Sequence, residues 1–351
     1  MILFCFSSLF AQDKHYYFYN PANTFGSDLM FNPVTLFFNG SFDILRNGGM
    51  SKNVWQQPYR AGFENLFDNL LHPAANVQKY GTRSFFSNEV LNLSFNPDKM
   101  QYLPNYTLHL IGNSMQWVKL AEWYEHHGYP YPQLLSLATT LTYQLFNEAV
   151  ENGDYRGANV DPIADMLIFN PLGFLLFSSE FGKRFFSETL PVYDWSGVPY
   201  FNPGNSFMEN AGQQYAVQKP LTAGRRWEAF AYMGVQSVFG VGLRRTDEQA
   251  LSVGVGSVTY GLIYHDNDGS RIVTPKMKSA VGMFWDRSHS LMASAVISTD
   301  LSYLRLEAFP GAVSWKKLKP GCYLARLPEQ GVQIGISVSF SPLGWVGNMN
   351  R

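Results

Sequence analysis

From about Phe207 to Phe340 the chain alternates, residue by residue, between apolar side chains and small or polar ones. Trp227, Ala229, Ala231 and Met233 alternate with Glu228, Phe230, Tyr232 and Gly234. Leu251, Val253 and Val255 alternate with Ser252, Gly254 and Gly256, and Val332, Ile334, Ile336 and Val338 with Gln333, Gly335 and Ser337. A period of two sends each set to its own face of a strand. The pattern admits a soluble sandwich or barrel that hides its apolar face, or a barrel that turns that face to lipid. Composition favours lipid: aromatics are 16% and charged residues 15%, against roughly 25% charged in soluble domains. Lipid admits only helices and closed barrels, because every backbone group must be paired. Residues 183–351 are therefore expected to form an antiparallel transmembrane β-barrel of about eight to ten strands. One feature departs from the usual barrel ending: Ser341–Arg351 follow Phe340, so the last strand does not close the chain on an aromatic residue.

The longest apolar run, Met166–Phe177, is interrupted by Asn170-Pro171 and is shorter than the ~20 residues a membrane helix needs. Residues 1–11, Met-Ile-Leu-Phe-Cys-Phe-Ser-Ser-Leu-Phe-Ala, read as the apolar part of a secretory signal without its usual basic start. Cys5 and Cys322 are the two cysteines, so no disulfide framework or zinc-finger spacing exists. Formal net charge is -1, which supplies no basic field for nucleic acid. The expected partner is outer-membrane lipid, and no cofactor is implied.

Residues 12–100 read as strands with a short amphipathic helix. Val34–Leu45 includes the plausible strand, with Asn20-Pro21, Asn32-Pro33 and Asn47-Gly48-Gly49 as turns. Gly62–Leu71 sets Phe63, Leu66, Phe67, Leu70 and Leu71 on one side, ending at His72-Pro73.

Residues 101–182 differ from both flanks. Three apolar segments each carry a thin polar stripe: His109, Asn113 and Gln116 on the first; Thr140, Gln144, Asn147, Glu148 and Glu151 on the second; Asp161 and Asp165 on the third. Steps of three and four stack such residues on one helical face. Packing the stripes together gives those groups partners, since buried acids are costly when left alone. The expectation is a three-helix insert that plugs or caps the barrel. In all, the fold expected is mostly β with an α-helical insert.

The short elements His109-x-x-Gly112, Asn147-Glu148-x-x-Glu151 and Asp161-Pro162-x-x-Asp165, the last running into Asn170-Pro171-x-Gly173, resemble an uncharacterised family of exported Bacteroidota and proteobacterial proteins. That family is catalogued only as a domain of unknown function. A second small envelope family is similar in arrangement. The resemblance covers about residues 60–180; it implies an outer-membrane location and supplies no reaction.

Two functions follow from the polar stripes. In the first, the insert is a hydrogen-bonded network that stabilises or gates the barrel, with Asn113, Gln144, Asn147, Glu151 and Asp161 as its members. Asp161 then caps its helix ahead of Pro162, and Glu148 and Glu151 bond backbone amides or Arg156. In the second, the protein is an envelope lipid- or cell-wall-modifying hydrolase: His109 is the general acid or base, and Glu148 or Asp165 orients it. Ser114 and Ser136 are the nearby hydroxyls, and neither lies in a GxSxG elbow. A metal reading would use His109, Glu148, Glu151 and Asp165, but no HExxH or ExxH spacing supports it, so no metal is assigned. Weaker candidates are His126-His127 at a helix end, Arg225-Arg226 and Arg244-Arg245 at strand ends, and Lys276 and Lys278 on the face away from lipid.

Overall fold

The computed structural model describes residues 15–47, 52–91, 105–221, 226–234, 236–267, 270–314, 316, 318–328 and 331–349. The expected signal segment 1–11 lies outside these residues, as does Arg225.

The N-terminal region is helical: α1 Gly26–Met30, α2 Pro33–Ser41, α3 Asp43–Asn47, α4 Tyr59–Leu71, α5 Pro73–Tyr80 and α6 Thr82–Phe85, the last followed by a π-helical turn Phe86–Val90. The strand expected within Val34–Leu45 is absent; that stretch forms α2 and α3. The reason is local. Asn32 does not turn the chain away but caps a helix, its side chain accepting from the backbone N–H groups of Val34 and Thr35, with Pro33 in the first turn. Pro73 likewise stands in the first turn of α5, there without a side-chain cap.

The striped segments are helical as expected. A π-helical stretch Asn105–Gly112 runs into the α-helix Asn113–His126 (together α7), and α8 is Pro132–Asn152. Next, α9 is Asp161–Ser178, π-helical over Asp165–Phe169, and α10 is Glu180–Arg184 with a π-helical end Phe185–Thr189. Among the described residues no single helix is long and apolar enough to cross a membrane.

The strands are β1 Val192–Asp194, β2 Tyr200–Asn202, β3 Phe207–Glu209, β4 Gln214–Pro220, β5 Trp227–Gly234, β6 Gln236–Arg244, β7 Gln249–Asn267, β8 Ser270–Arg287, β9 Ser290–Ser298, β10 Leu304–Ala308, β11 Pro320–Leu327, β12 Gly331–Val338 and β13 Gly344–Asn348. They make one curled, half-barrel sheet of 13 strands in the order β1-β4-β5-β6-β7-β8-β9-β10-β11-β12-β13-β2-β3. From β4 to β13 it is an antiparallel meander, but β13 pairs with β2 in parallel, so the sheet is mixed. The mostly β architecture with helices thus holds. The strand number exceeds eight to ten because three-residue strands β1, β2 and β3 form in a stretch whose sequence lacks a clear alternation. That stretch supplies both ends of the sheet.

Inside the curl, Trp195, Tyr200, Phe230, Tyr232, Val238, Phe284, Val296 and Tyr323 pack together. Glycine makes room for them: a Cβ on Gly282 would fall 2.7 Å from the Phe284 ring. Buried beside this cluster is an unusual charge. Arg305 is 1% exposed and donates to Asn210 Oδ1 at 3.0 Å, Tyr232 Oη at 3.2 Å and Gln236 Oε1 at 3.3 Å. Asn210 in turn donates to Glu307 Oε2 at 3.0 Å, which links the guanidinium to a buried carboxylate.

The helices do not pack only inside the curl. Leu108, Met115, Phe177 and Phe186 pack with Val192 and Tyr215, and Val217 lies against them. Tyr215 and Val217 project from the face of β4 opposite Ala216, which belongs to the inner core. Phe42, Ile44, Leu45 and Val150 meet Met208 near the other end of the sheet. α7 and α9 are therefore fixed to the outer side of β4.

Candidate functional site

Three helices bring their stripes together. Donor atoms of His109, Glu148 and Asp165 all lie within 4.8 Å of one another. His109 Nε2 stands 3.1 Å from Asp165 Oδ2, and Asn113 Nδ2 stands 3.4 Å from His109 Nδ1. Tyr143 Oη donates to Asn113 Oδ1 at 3.0 Å. With these amide orientations, Nδ1 accepts and Nε2 carries the proton toward Asp165.

Backbone geometry explains the meeting. His109 and Asp165 both sit on π-helical turns, a form that recurs at functional sites because the wider turn re-aims a side chain. Gly173 lets α9 approach α7: a Cβ there would fall 2.2 Å from Ser114 Oγ and 2.3 Å from Leu110 O. On α8, Gly62 of α4 plays the same part, with its would-be Cβ 2.1 Å from Ala149 O. Backbone-to-backbone packing of this kind is what holds the three polar faces at hydrogen-bond range.

The other expected members divide into two groups. Gln144 Oε1 accepts from Asn170 Nδ2 at 3.1 Å, and Asn147 donates to Asp43. Gln116 turns to the sheet, donating to Asp194 Oδ2 at 3.2 Å and accepting from Gln213 at 2.5 Å. Glu151 and Asp161 are half-buried near the cluster and interact with it through charge. Asp161 does not cap its helix; Val160 occupies that position and Asp161 is the first helical residue. Arg156 does not serve Glu148 or Glu151, because it pairs with Glu64 at 2.9 Å. Ser136 donates to the Trp117 carbonyl at 2.5 Å, and Ser114 is fully buried against Gly173. Neither serine touches His109 among the described residues, so no serine nucleophile is assembled.

Two members were not legible as part of any stripe. Glu89, 3% exposed, accepts from Tyr80 Oη at 3.0 Å and repels Asp165 through space. Asn170 faces the imidazole; it lies in the Asn-Pro-x-Gly element, which read as a helix break and as part of the family resemblance but not as a member of a polar stripe.

The electrostatics are set by burial and by repulsion among the carboxyls. Burial pushes the His109 imidazole down to about 4, offset in part by the Asn170 amide. Burial pushes Asp165 and Glu148 well above the usual carboxylate range, and repulsion from Asp161 adds to both. Glu89 is pushed up to about 8 by burial and then by Asp161. Among the described residues, no hydrogen bond or ion pair reaches the Glu148 carboxyl, which is 3% exposed. Asp165 Oδ1 is likewise buried without a donor. A network built only for stability leaves few such atoms, since each costs about 1–3 kcal/mol.

Two of the weaker candidates have defined partners. His127 stacks on Trp123 with ring centroids 4.0 Å apart and donates to its carbonyl. Arg244 forks onto Glu228 at 2.7 and 3.1 Å. Both line a cavity of about 760 Å³ at one mouth of the curl, with Tyr193, Gln218, Arg245 and His289.

No protein-family model, no curated protein and no solved structure matches the chain.

Proposed function

We propose that the curled sheet is embedded in outer-membrane lipid and that the helices, which pack on both edge strands β1 and β3 of the half-barrel, shield those open edges from hydrocarbon, capping the wall there rather than plugging it. One observation carries this reading: the outer face of the sheet exposes a row of large apolar side chains, while amide and charged side chains are buried inside the curl beside its aromatic core. Phe239, Val241, Leu251, Val253, Val255, Met283, Ile334, Ile336 and Trp345 are exposed, while Gln218, Glu228, Gln236, Asp286, Arg305, Glu307 and Gln333 are buried. Water would disfavour that outer face. A hydrocarbon surround favours it, because each outward side chain then leaves water and each inward one finds partners. The location implied by the family resemblance belongs to the same proposal.

The test uses vesicles with brominated acyl chains, which quench tryptophan on contact. Trp227 and Trp345 are 47% and 54% exposed on the outer face, and Trp195 is fully buried inside. The quenched share of emission should fall in Trp227→Phe/Trp345→Phe and rise in Trp195→Phe, which removes an unquenched emitter. Equal quenching of all three proteins would defeat the lipid assignment.

A second reading is supported by the undonated carboxyl atoms of Glu148 and Asp165: the centre performs acid–base hydrolysis on envelope lipid or cell-wall material. His109 would move the proton, Asp165 would hold its Nε2 side, and water would take the part of the missing serine. His109→Ala should then change the lipid or cell-wall profile of cells that make the protein. An unchanged profile at equal protein level would remove this reading.

A further inference from the structure

We propose that His109, Glu148 and Asp165 bind one divalent first-row metal ion, of the kind represented by zinc or manganese. The inference goes beyond the membrane placement and depends on neither reading above. Its ground is the donor set: one imidazole and two carboxylates, from three different helices, with donor atoms mutually within 4.8 Å. Ligands bonded at about 2.0–2.2 Å lie about 3.3–3.6 Å apart around a tetrahedral ion. A rotamer adjustment of about an ångström therefore closes the set. Mixed nitrogen and oxygen donors suit zinc, manganese or ferrous iron better than calcium or magnesium, which prefer all-oxygen sites.

The independent observation is the state of the acids. Glu148 is 3% exposed and Asp165 2% exposed. Among the described residues, the Glu148 carboxyl has no hydrogen-bond or ion-pair partner, and Asp165 Oδ1 has no donor. Among the described residues, the one ion pair to either carboxyl is that of His109 with Asp165. Glu89, Asp161 and Glu151 add further carboxyl groups to the same region, each of which repels an ionised Asp165. A buried cluster in this condition either retains protons or gains a cation, and an imidazole at its centre favours a transition metal over a proton alone.

The surroundings also fit. A ligating histidine gives its second ring N–H to an acceptor. The Asn113 amide stands 3.4 Å from Nδ1; turned over, its oxygen takes that proton. Tyr143 Oη then accepts from the amide and donates to Gln116 Oε1, at 3.5 Å. Asn113 is thus a positioning residue, fixed by Tyr143. Sequence spacing did not show the site because no two of the three ligands share a helix.

The test is made on the full chain purified in detergent, stripped with EDTA and titrated separately with zinc and with manganese. One equivalent per chain should bind, with a rise in melting temperature, and cobalt in place of zinc should give a visible d–d spectrum. Glu148→Gln and Asp165→Asn should each weaken binding at least about hundredfold, and Asn113→Ala about tenfold to hundredfold. The two amide variants remove buried charge, so they should fold; far-ultraviolet circular dichroism verifies this before titration. His126→Ala/His127→Ala, which removes the exposed histidine pair, should leave binding unchanged. Substoichiometric binding to folded protein, binding that survives Glu148→Gln and Asp165→Asn, or binding lost with His126 and His127 would each overturn the assignment.

Discussion

Replacing Lys119 by methionine is expected to cost about 3–5 kcal/mol of stability, read as a lowered urea midpoint in detergent. Lys119 lies on α7 and is 1% exposed. Its Nζ donates to Asp28 Oδ1 at 2.7 Å, lies 3.9 Å from Asp194 Oδ2, and sits 4.4 Å from the centre of the Phe31 ring. One ammonium therefore ties α1, β1 and the helix that carries His109. Burial alone would weaken its hold on the proton. The two carboxylates outweigh that and raise its proton affinity above the ordinary value. Methionine preserves the volume, so the loss comes from leaving Asp28 and Asp194 buried without a cation, not from a cavity. That origin makes a second expectation. Lys119→Met/Asp28→Asn should regain part of the loss, because one of the stranded charges is gone. If the double variant is as unstable as the single one, the ion pair is not the source.

The Lys119 contacts also show which kinds of information the sequence carried. A polar stripe at steps of three and four is local, so His109, Asn113, Gln144, Glu148 and Asp165 could be singled out from spacing alone. Lys119 and its acids are 91 and 75 residues apart in sequence, the difference between positions 119, 28 and 194, and no local pattern joins them. Glu89 was missed for the same reason. It reaches the cluster from a short π-helical turn with no stripe of its own. The error over α2 had another cause: Asn-Pro is ambiguous between a turn and a cap, and only the side-chain bonds of Asn32 decide it. The alternation of β5 to β8 and β12 was legible because one residue in two is enough to define both faces. Which face points outward was a matter of composition, and the buried Glu228, Arg305 and Glu307 agree with the apolar face being outside. The parallel joint between β13 and β2 left no mark, since its partners are 144 residues apart by the numbers of Tyr200 and Gly344.

Arginine placed on the outward face separates lipid from water more sharply than any inward change. Val255 is 66% exposed on β7 and Ile336 62% exposed on β12. Val255 pairs with Phe239 and Val281, and Ile336 with Cys322 and Trp345. If these positions met water, Val255→Arg and Ile336→Arg would each change stability by no more than about 0.5 kcal/mol, as surface substitutions do. In a bilayer the same substitutions should cost about 2–4 kcal/mol near the midplane and about 0–1 near the interface. A scan through Leu251, Val253 and Val255, three outward residues in a row on one strand, should therefore give a cost that varies with depth. Measured by reversible unfolding from vesicles, a graded cost places the strand in hydrocarbon and gives its midplane. A flat profile within about 0.5 kcal/mol would return the sheet to water, and the buried charges inside the curl would then need a different explanation. Those charges make the two outcomes easy to tell apart, because the arginine scan leaves Glu228, Arg305 and Glu307 untouched and only the solvent beyond the wall is being measured.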